Sequence, residues 1–200
     1  MSWDNTWEEF YKTSGGNGYP EAAVVRLIAR NFYNTKKRFE KRILDLGCGS
    51  GANLWYLSRE GFSAFGIDGS KTAIERTEKK LFKEGLNANL LTGDFKKLPY
   101  DTNFFDAVLD ITSIQHNDYS TMKQIVNEVH RVMKTNGTYL GLMINSDKNL
   151  SANSFVTNYL DDNEVKKLFE NFKNIEINES LYTEDHGRKY IKFLHINAIK

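Results

Sequence analysis

Ile43-Leu44-Asp45-Leu46-Gly47-Cys48-Gly49-Ser50-Gly51 decides the reading of this chain. An apolar run ends at Leu46, and glycines at every second position turn it sharply toward a helical stretch from Ala52 to Glu60. Glycines at such a turn let the backbone approach a ligand closely, because no Cβ intervenes and positive φ costs little. The stretch also reads as Gly-x-Gly-x-x-Ala with the acidic Asp68 about twenty residues on, a spacing that fits a dinucleotide fingerprint. A tight turn that holds no ligand is the third reading.

Working outward, short apolar runs alternate with helical patterns. Strands are expected at Arg42 to Leu46, Ser63 to Ile67, Ala88 to Thr92, Phe105 to Leu109 and Thr138 to Ile144. Helices fit Ala52 to Glu60, Lys71 to Glu84 and Tyr119 to Lys134, the last with Met122, Ile125, Val126, Val129 and Met133 on one face and a stop at Gly137. Asp161 followed by Glu164 has the form of a capping box, opening a helix that buries Val165, Leu168 and Phe169. Strand–helix alternation implies a parallel sheet covered on both faces. Asn174 to Glu179 and Lys189 to Ala198 are two further strand-like runs with only a loop between them, so they should pair as an antiparallel hairpin. The expected fold is therefore α/β, a doubly wound seven-stranded sheet, mostly parallel, closed by a carboxyl-terminal hairpin.

Upstream, Trp3, Trp7, Phe10 and Tyr11 share one face of a short helix, broken by Gly15-Gly16-Asn17-Gly18. Pro20 suits the first turn of a second helix, with Val24, Leu27, Ile28 and Phe32 as its apolar face. Residues 1–200 make one domain, with 1–40 a helical cap or lid and 41–200 the cofactor-binding core.

The chain has 200 residues, 40% of them hydrophobic and 26% charged, at a formal net charge of +1. That balance gives no electrostatic case for a nucleic-acid binder. The basic cluster of Lys36, Lys37, Arg38, Lys41 and Arg42 reads as a solvated helix end and linker. The single cysteine, Cys48, allows no intramolecular disulfide and no cysteine-based zinc site, so no metal is expected. Neither a secretory pattern nor a run of transmembrane length is evident, which makes a cytoplasmic setting with no membrane partner the expectation.

Three features favour S-adenosylmethionine over a nicotinamide cofactor. Asp45 ends the first strand just before Gly47, Cys48 and Gly49, where a carboxylate suits an ammonium and a sulfonium and is awkward beside a pyrophosphate. Asp68, in Gly66-Ile67-Asp68-Gly69, can accept both ribose hydroxyls unless it serves only as a helix N-cap. Gly93-Asp94-Phe95 follows the third strand with a carboxylate for an adenine amino group and an aromatic face for the ring.

In this order and spacing, together with Phe104-Phe105-Asp106-Ala107-Val108, the chain resembles the class I S-adenosylmethionine-dependent methyltransferases. The resemblance covers Arg42 to Lys134. It implies a Rossmann-like methyltransferase fold, with the residue at Asp45 near the methionine amino group, Asp68 on the ribose and Asp94 at the adenine. Asp110 and Ile111, ending the fourth strand, join Gly69 and Phe95 as expected cofactor contacts. The product would be S-adenosylhomocysteine.

Asp110-Ile111-Thr112-Ser113-Ile114-Gln115-His116 lacks the Asn/Asp-Pro-Pro-aromatic motif of enzymes that methylate nucleic-acid amino groups. It looks like the small stand-alone methyltransferases whose loop reads roughly Ser-x-Ser-x-Leu-Glu-His, with Gln115 in place of the glutamate. Ligands of such sheets sit outside the carboxyl ends of the parallel strands. That rule nominates the segment around His116, Asn145 to Tyr159, and Leu181 to Arg188 for the acceptor, which is expected to be a small molecule. His116 is the candidate base or acceptor contact. Trp3, Trp7, Tyr11, Tyr182 and His186 are candidates for the lid or acceptor pocket. His130 and His195 read as structural. A nicotinamide oxidoreductase and a non-catalytic cofactor-binding scaffold are the competing classes.

Overall fold

The computed structural model describes residues 4–14, 16, 18–145, 157–184 and 189–200. Its elements run α1 (Thr6–Thr13), α2 (Ala22–Phe32), β1 (Arg42–Leu46), α3 (Ala52–Arg59), β2 (Ser63–Asp68), α4 (Lys71–Lys83), β3 (Asn89–Thr92), β4 (Phe105–Ile111), α5 (Tyr119–Val132), β5 (Met133–Ile144), α6 (Asp162–Leu168), β6 (Lys173–Glu184) and β7 (Lys189–Ile199). The strands form one seven-stranded sheet in the order β3-β2-β1-β4-β5-β7-β6. β1 to β5 run parallel to one another, and β7 enters antiparallel between β5 and β6. The expected hairpin is present.

Alternating side chains divide the core in two. Leu44 and Leu46 of β1 pack with α5, α6 and the hairpin residues Leu194 and Ile196 on one face. Ile43 packs with α2 and α3 on the other. The chain leaves β1 toward β2 and β3, then returns to place β4 on its opposite side, so the switch point lies between β1 and β4. Ligand clefts of doubly wound sheets open there.

Asp106 clips the start of that switch. Its carboxylate accepts from the Arg42 backbone amide at 3.0 Å, Lys41 Nζ at 3.1 Å and Lys134 Nζ at 2.7 Å, and these bonds hold its pKa below the ordinary carboxylate value despite the cost of burial. The bonds tie β1, β4 and β5 together at their amino ends.

The residues before β1 do not act as one unit. α2 buries Ala23, Val24, Leu27, Ile28 and Phe32 and is part of the core, whereas α1 has no buried residue. Pro20 lies outside the helix it was expected to open, because Glu21 takes the cap position and accepts from the Ala22 amide. Helix α5 ends earlier than periodicity suggested. Met133 is already extended (φ −72°, ψ 144°) and pairs with Phe105 as the first residue of β5. Gly137 is therefore no helix stop; a Cβ there would lie 2.8 Å from the Lys134 carbonyl oxygen and 3.2 Å from that of Asp106, so close strand approach demands glycine. The capping box at Asp161 and Glu164 forms with both reciprocal bonds.

Candidate functional site

The glycine loop takes the conformation its residues permit. Gly47, Gly49 and Gly51 have φ of 74°, 52° and 78°, values that side chains with a Cβ adopt rarely. The Gly47 and Cys48 amides both donate to the Ile67 carbonyl, at 2.8 and 3.1 Å, which seats the loop on the end of β2. Thr77 Oγ1 of α4 donates to the Gly49 carbonyl at 2.8 Å.

Asp68 joins the two turns. Its carboxylate accepts from the Gly49 amide at 2.9 Å and the Ser70 amide at 2.8 Å. Burial raises its pKa, partly countered by those bonds. The N-cap of α4 is Ser70, whose side chain accepts from Ala73, so capping does not account for Asp68.

A cleft opens beside this carboxylate, lined by Asp4, Trp7, Tyr11, Gly47, Asp68, Gly69, Phe95, Ile111, Thr112, Ser113, His116 and Asn117. Its cavity volume is about 100 Å³, below the roughly 300–1,000 Å³ of small-molecule sites. Among the described residues, the lining contains carboxylates but no lysine or arginine. Such a lining favours a cationic ligand and disfavours a pyrophosphate.

Asp45 lies behind the loop, 1% exposed. Asn53 Nδ2 reaches its Oδ1 at 3.4 Å, and its Oδ2 has no hydrogen-bond partner. Burial pushes its carboxyl up to about 7. A buried, unsatisfied acceptor is costly. Cys48 is buried beside it, and burial drives its thiol pKa well above the ordinary value, which leaves it a poor nucleophile. Asp94 is half-buried and accepts from the Lys96 amide at 2.9 Å; it stands next to Phe95 rather than on the cleft wall itself.

Asp110 stands off the cleft wall. It is fully buried, accepting from the Tyr139 hydroxyl at 2.8 Å and from the Ser113 and Ile114 amides at 3.0 and 3.2 Å. Its carboxyl, pushed up to about 6 by burial, braces the loop after β4 instead of facing the cleft. Ile111 lines the cleft.

Beyond Ile111, Thr112 adopts a φ of 56°, an outlier for a β-branched residue. Such strain is a mark of constrained site geometry. Gln115 Oε1 accepts from the Ile144 amide at 2.7 Å, and the Gln115 carbonyl accepts from the Asn158 amide at 2.9 Å. Gln115 thereby fixes the His116 turn against the end of β5. His116 lines the cleft, its Nδ1 3.3 Å from Thr157 Oγ1 and its ring edge-on to Trp7 at 4.8 Å.

Tyr11 reaches deepest of the α1 residues. A Cβ on Gly49 would lie 2.4 Å from its hydroxyl, and burial together with Asp68, Cys48 and Asp45 raises its pKa strongly. Tyr182 sits on the edge strand β6, 42% exposed, with its ring against Phe193, and is not part of the cleft lining. Trp3 and His186 lie outside the described residues, as do Arg188 and most of the Asn145 to Tyr159 loop. His195 bonds Ser180 at 2.6 Å and His130 packs on Phe172, both away from the cleft. Asp4, Thr112, Ser113 and Asn117 were not singled out from the sequence; small polar residues in loops carry no periodic signal.

Residues 43–137 match the Methyltransferase domain family. Over 167 residues the chain is 31% identical to the EEF1A lysine methyltransferase 2 of Homo sapiens, covering 76% of this chain and 70% of that one. It is 35% identical over 101 residues to a sterol 24-C-methyltransferase of Gibberella zeae, but those residues are 49% of this chain and only 26% of the sterol enzyme. The chain thus spans about a quarter of that relative's length. The magnesium protoporphyrin IX methyltransferase of Synechocystis PCC 6803, solved with bound S-adenosylmethionine, superposes with a TM-score of 0.69 at 13% identity, covering 100% of this chain and 99% of that one. Identity that low speaks for the fold alone.

Proposed function

Because this chain belongs to the S-adenosylmethionine-dependent methyltransferases, we propose that it transfers the cofactor's methyl group to a small molecule held between Trp7 and His116. The observation that carries the reading is the Asp45 carboxylate, buried with an orphaned Oδ2 beneath a glycine loop whose cleft is acidic. An ammonium group is the partner that such an oxygen lacks.

The cofactor, when bound, supplies a methyl carbon made electrophilic by the sulfonium. Asp45 would take the methionine ammonium, and Gly47, Cys48 and Gly49 would form the wall for the amino-acid end. Asp68 takes the ribose hydroxyls, with lone pairs left over from its two backbone bonds. Phe95 and Gly69, on the cleft wall, would flank the adenine, and Asp94, next to Phe95, would meet its amino group. His116, whose ring lines the cleft with Nδ1 3.3 Å from Thr157 Oγ1, is the residue placed to take a proton from the acceptor. Ile111, Thr112 and Ser113 fill the wall between cofactor and acceptor. Residues 1–200 work as one domain in this reading.

The narrow cleft under α1, walled by Trp7 and His116, supports a small acceptor. The relationship to a protein lysine methyltransferase favours a second reading, in which a lysine side chain enters the same opening. A cytoplasmic setting completes the proposal and suits the single free thiol; among the described residues no helix is long and apolar enough to cross a membrane. The test is S-adenosylhomocysteine formation from S-adenosylmethionine with a panel of small amines, phenols and thiols, and separately with a protein extract. Product with small acceptors supports the first reading, and labelled protein alone supports the second.

A pH dependence follows from Asp45. With its carboxyl near 7 in the free protein, it is largely protonated below that pH. An ammonium against Oδ2 favours the ionised form, so binding releases a proton and affinity climbs with pH toward about 7, then levels. The stability sign is the reverse: the folded state holds this proton more tightly than the unfolded chain, so the group costs stability as pH rises from about 4 to about 7. Calorimetry at pH 5.5 and pH 8 should give S-adenosylhomocysteine affinities about tenfold or more apart. A flat profile would remove Asp45 from the ammonium site.

A further inference from the structure

Helix α1 puts Trp7 and Tyr11 on the cleft wall; none of its residues is fully buried, although the Tyr11 ring packs on Gly49, and its polar attachments run to α4. Glu8 accepts from Ser70 Oγ at 2.6 Å, from the Thr72 amide at 3.3 Å and from Thr72 Oγ1. Arg76 donates to the Ser14 carbonyl and, at 3.3 Å, to that of Lys12; Lys80 Nζ donates to the Gly18 carbonyl at 2.8 Å. On the far side of the cleft, Trp7 meets His116. α1 therefore spans from the first turn of α4 to the loop after β4.

The Glu8 contact is also joined to the cofactor side. Ser70 donates its hydroxyl to Glu8 and its amide to Asp68, and Asp68 accepts in turn from Gly49. One hydrogen-bonded path thus links α1, the β2–α4 turn and the glycine loop. A carboxylate over the amino end of a helix is further favoured by the helix dipole. Apolar burial would make α1 a fixed part of the core. Beyond the Tyr11 and Trp7 rings on the cleft wall, its dock is a set of polar bonds, each of which water can replace, and that makes it releasable.

We propose that Glu8 is a positioning residue that latches α1 over the cofactor cleft, so that α1 is a lid and its closure builds the Trp7–His116 wall against which the acceptor sits. This rests on the reading of the cleft as the S-adenosylmethionine site. Cofactor entry and product release then require the Glu8 bonds to break, whereas acceptor binding requires them to be made. The order of events is cofactor, closure, acceptor.

The test uses the full chain and S-adenosylhomocysteine as probe, with stopped-flow tryptophan fluorescence for dissociation and tryptic cleavage at Lys12 for the state of α1. In the wild type the probe should protect Lys12. Glu8→Ala should raise the dissociation rate at least about tenfold, abolish the protection and leave the melting temperature of the free protein within a degree or two. Thr72→Val, which removes only the hydroxyl donor, should shift both readouts the same way, and the double variant should be no faster than Glu8→Ala. It also serves as the test should Glu8→Ala not fold. Dissociation within twofold of wild type, or effects of the two substitutions that simply add, would overturn the latch while the cofactor reading stands. Absence of probe binding in the wild type would instead defeat the cofactor reading, and the latch with it.

Discussion

Replacing Asp68 by alanine is expected to lower S-adenosylhomocysteine affinity at least tenfold and to lower the melting temperature of the free protein as well. The first effect is the loss of charge-assisted bonds to the ribose, each worth about 1.5–3 kcal/mol. The second comes from the backbone. Asp68 is 7% exposed and accepts from the Gly49 and Ser70 amides, which alanine would leave without their partner. An unsatisfied buried donor costs about 1–3 kcal/mol, and in a domain of this size each kcal/mol lowers Tm by roughly 2–4 °C. Asp68→Asn separates the two effects, because it keeps an acceptor oxygen for one amide while losing the charge. Calorimetry and thermal melts on the same preparations are the check. Melting lowered with affinity intact would make Asp68 a brace and no ribose ligand.

Removing residues 1–14 is expected to cost turnover about 100-fold or more while leaving the core folded. The deletion takes away Asp4, Trp7 and Tyr11 from the cleft wall, and with them the exclusion of water that methyl transfer needs. It takes nothing from the core, since α1 has no buried residue. Aromatic contacts among Trp7, Phe10 and Tyr11 are internal to α1 and leave with it. The measurement is turnover against Tm for the truncated chain. A sharp fall in Tm, with turnover lost only in proportion to the unfolded fraction, would make α1 core packing. Deleting through α2 should differ in kind, because Val24, Leu27 and Ile28 are core residues and the domain should not fold without them.

The contrast between these helices shows what the sequence could and could not convey. Both are amphipathic by spacing, and the aromatic stripe of α1 reads as strongly apolar as the aliphatic stripe of α2. Periodicity identifies a face but not what covers it: α2 buries its stripe in the core, and no residue of α1 is fully buried. The strand-end aspartates show the same limit. Asp45, Asp68 and Asp110 each end a parallel strand near the switch point, and sequence gives each equal standing. The partners that separate them come from distant segments: Asn53 for Asp45, Gly49 for Asp68, Tyr139 for Asp110. Where structure is set locally, the reading held. β1 spans the residues its apolar run predicted, and the Asp161–Glu164 box forms as its spacing required. At Met133 a local rule misled, since helical periodicity continued into a residue that the Phe105 pairing had claimed for β5.

Titration calorimetry of the full chain with S-adenosylhomocysteine, and separately with NADH, tests the central claim most directly. The acidic cleft and the orphaned Asp45 oxygen predict saturable one-to-one binding of S-adenosylhomocysteine and no measurable heat with NADH. Saturable NADH binding with no response to S-adenosylhomocysteine would contradict the account.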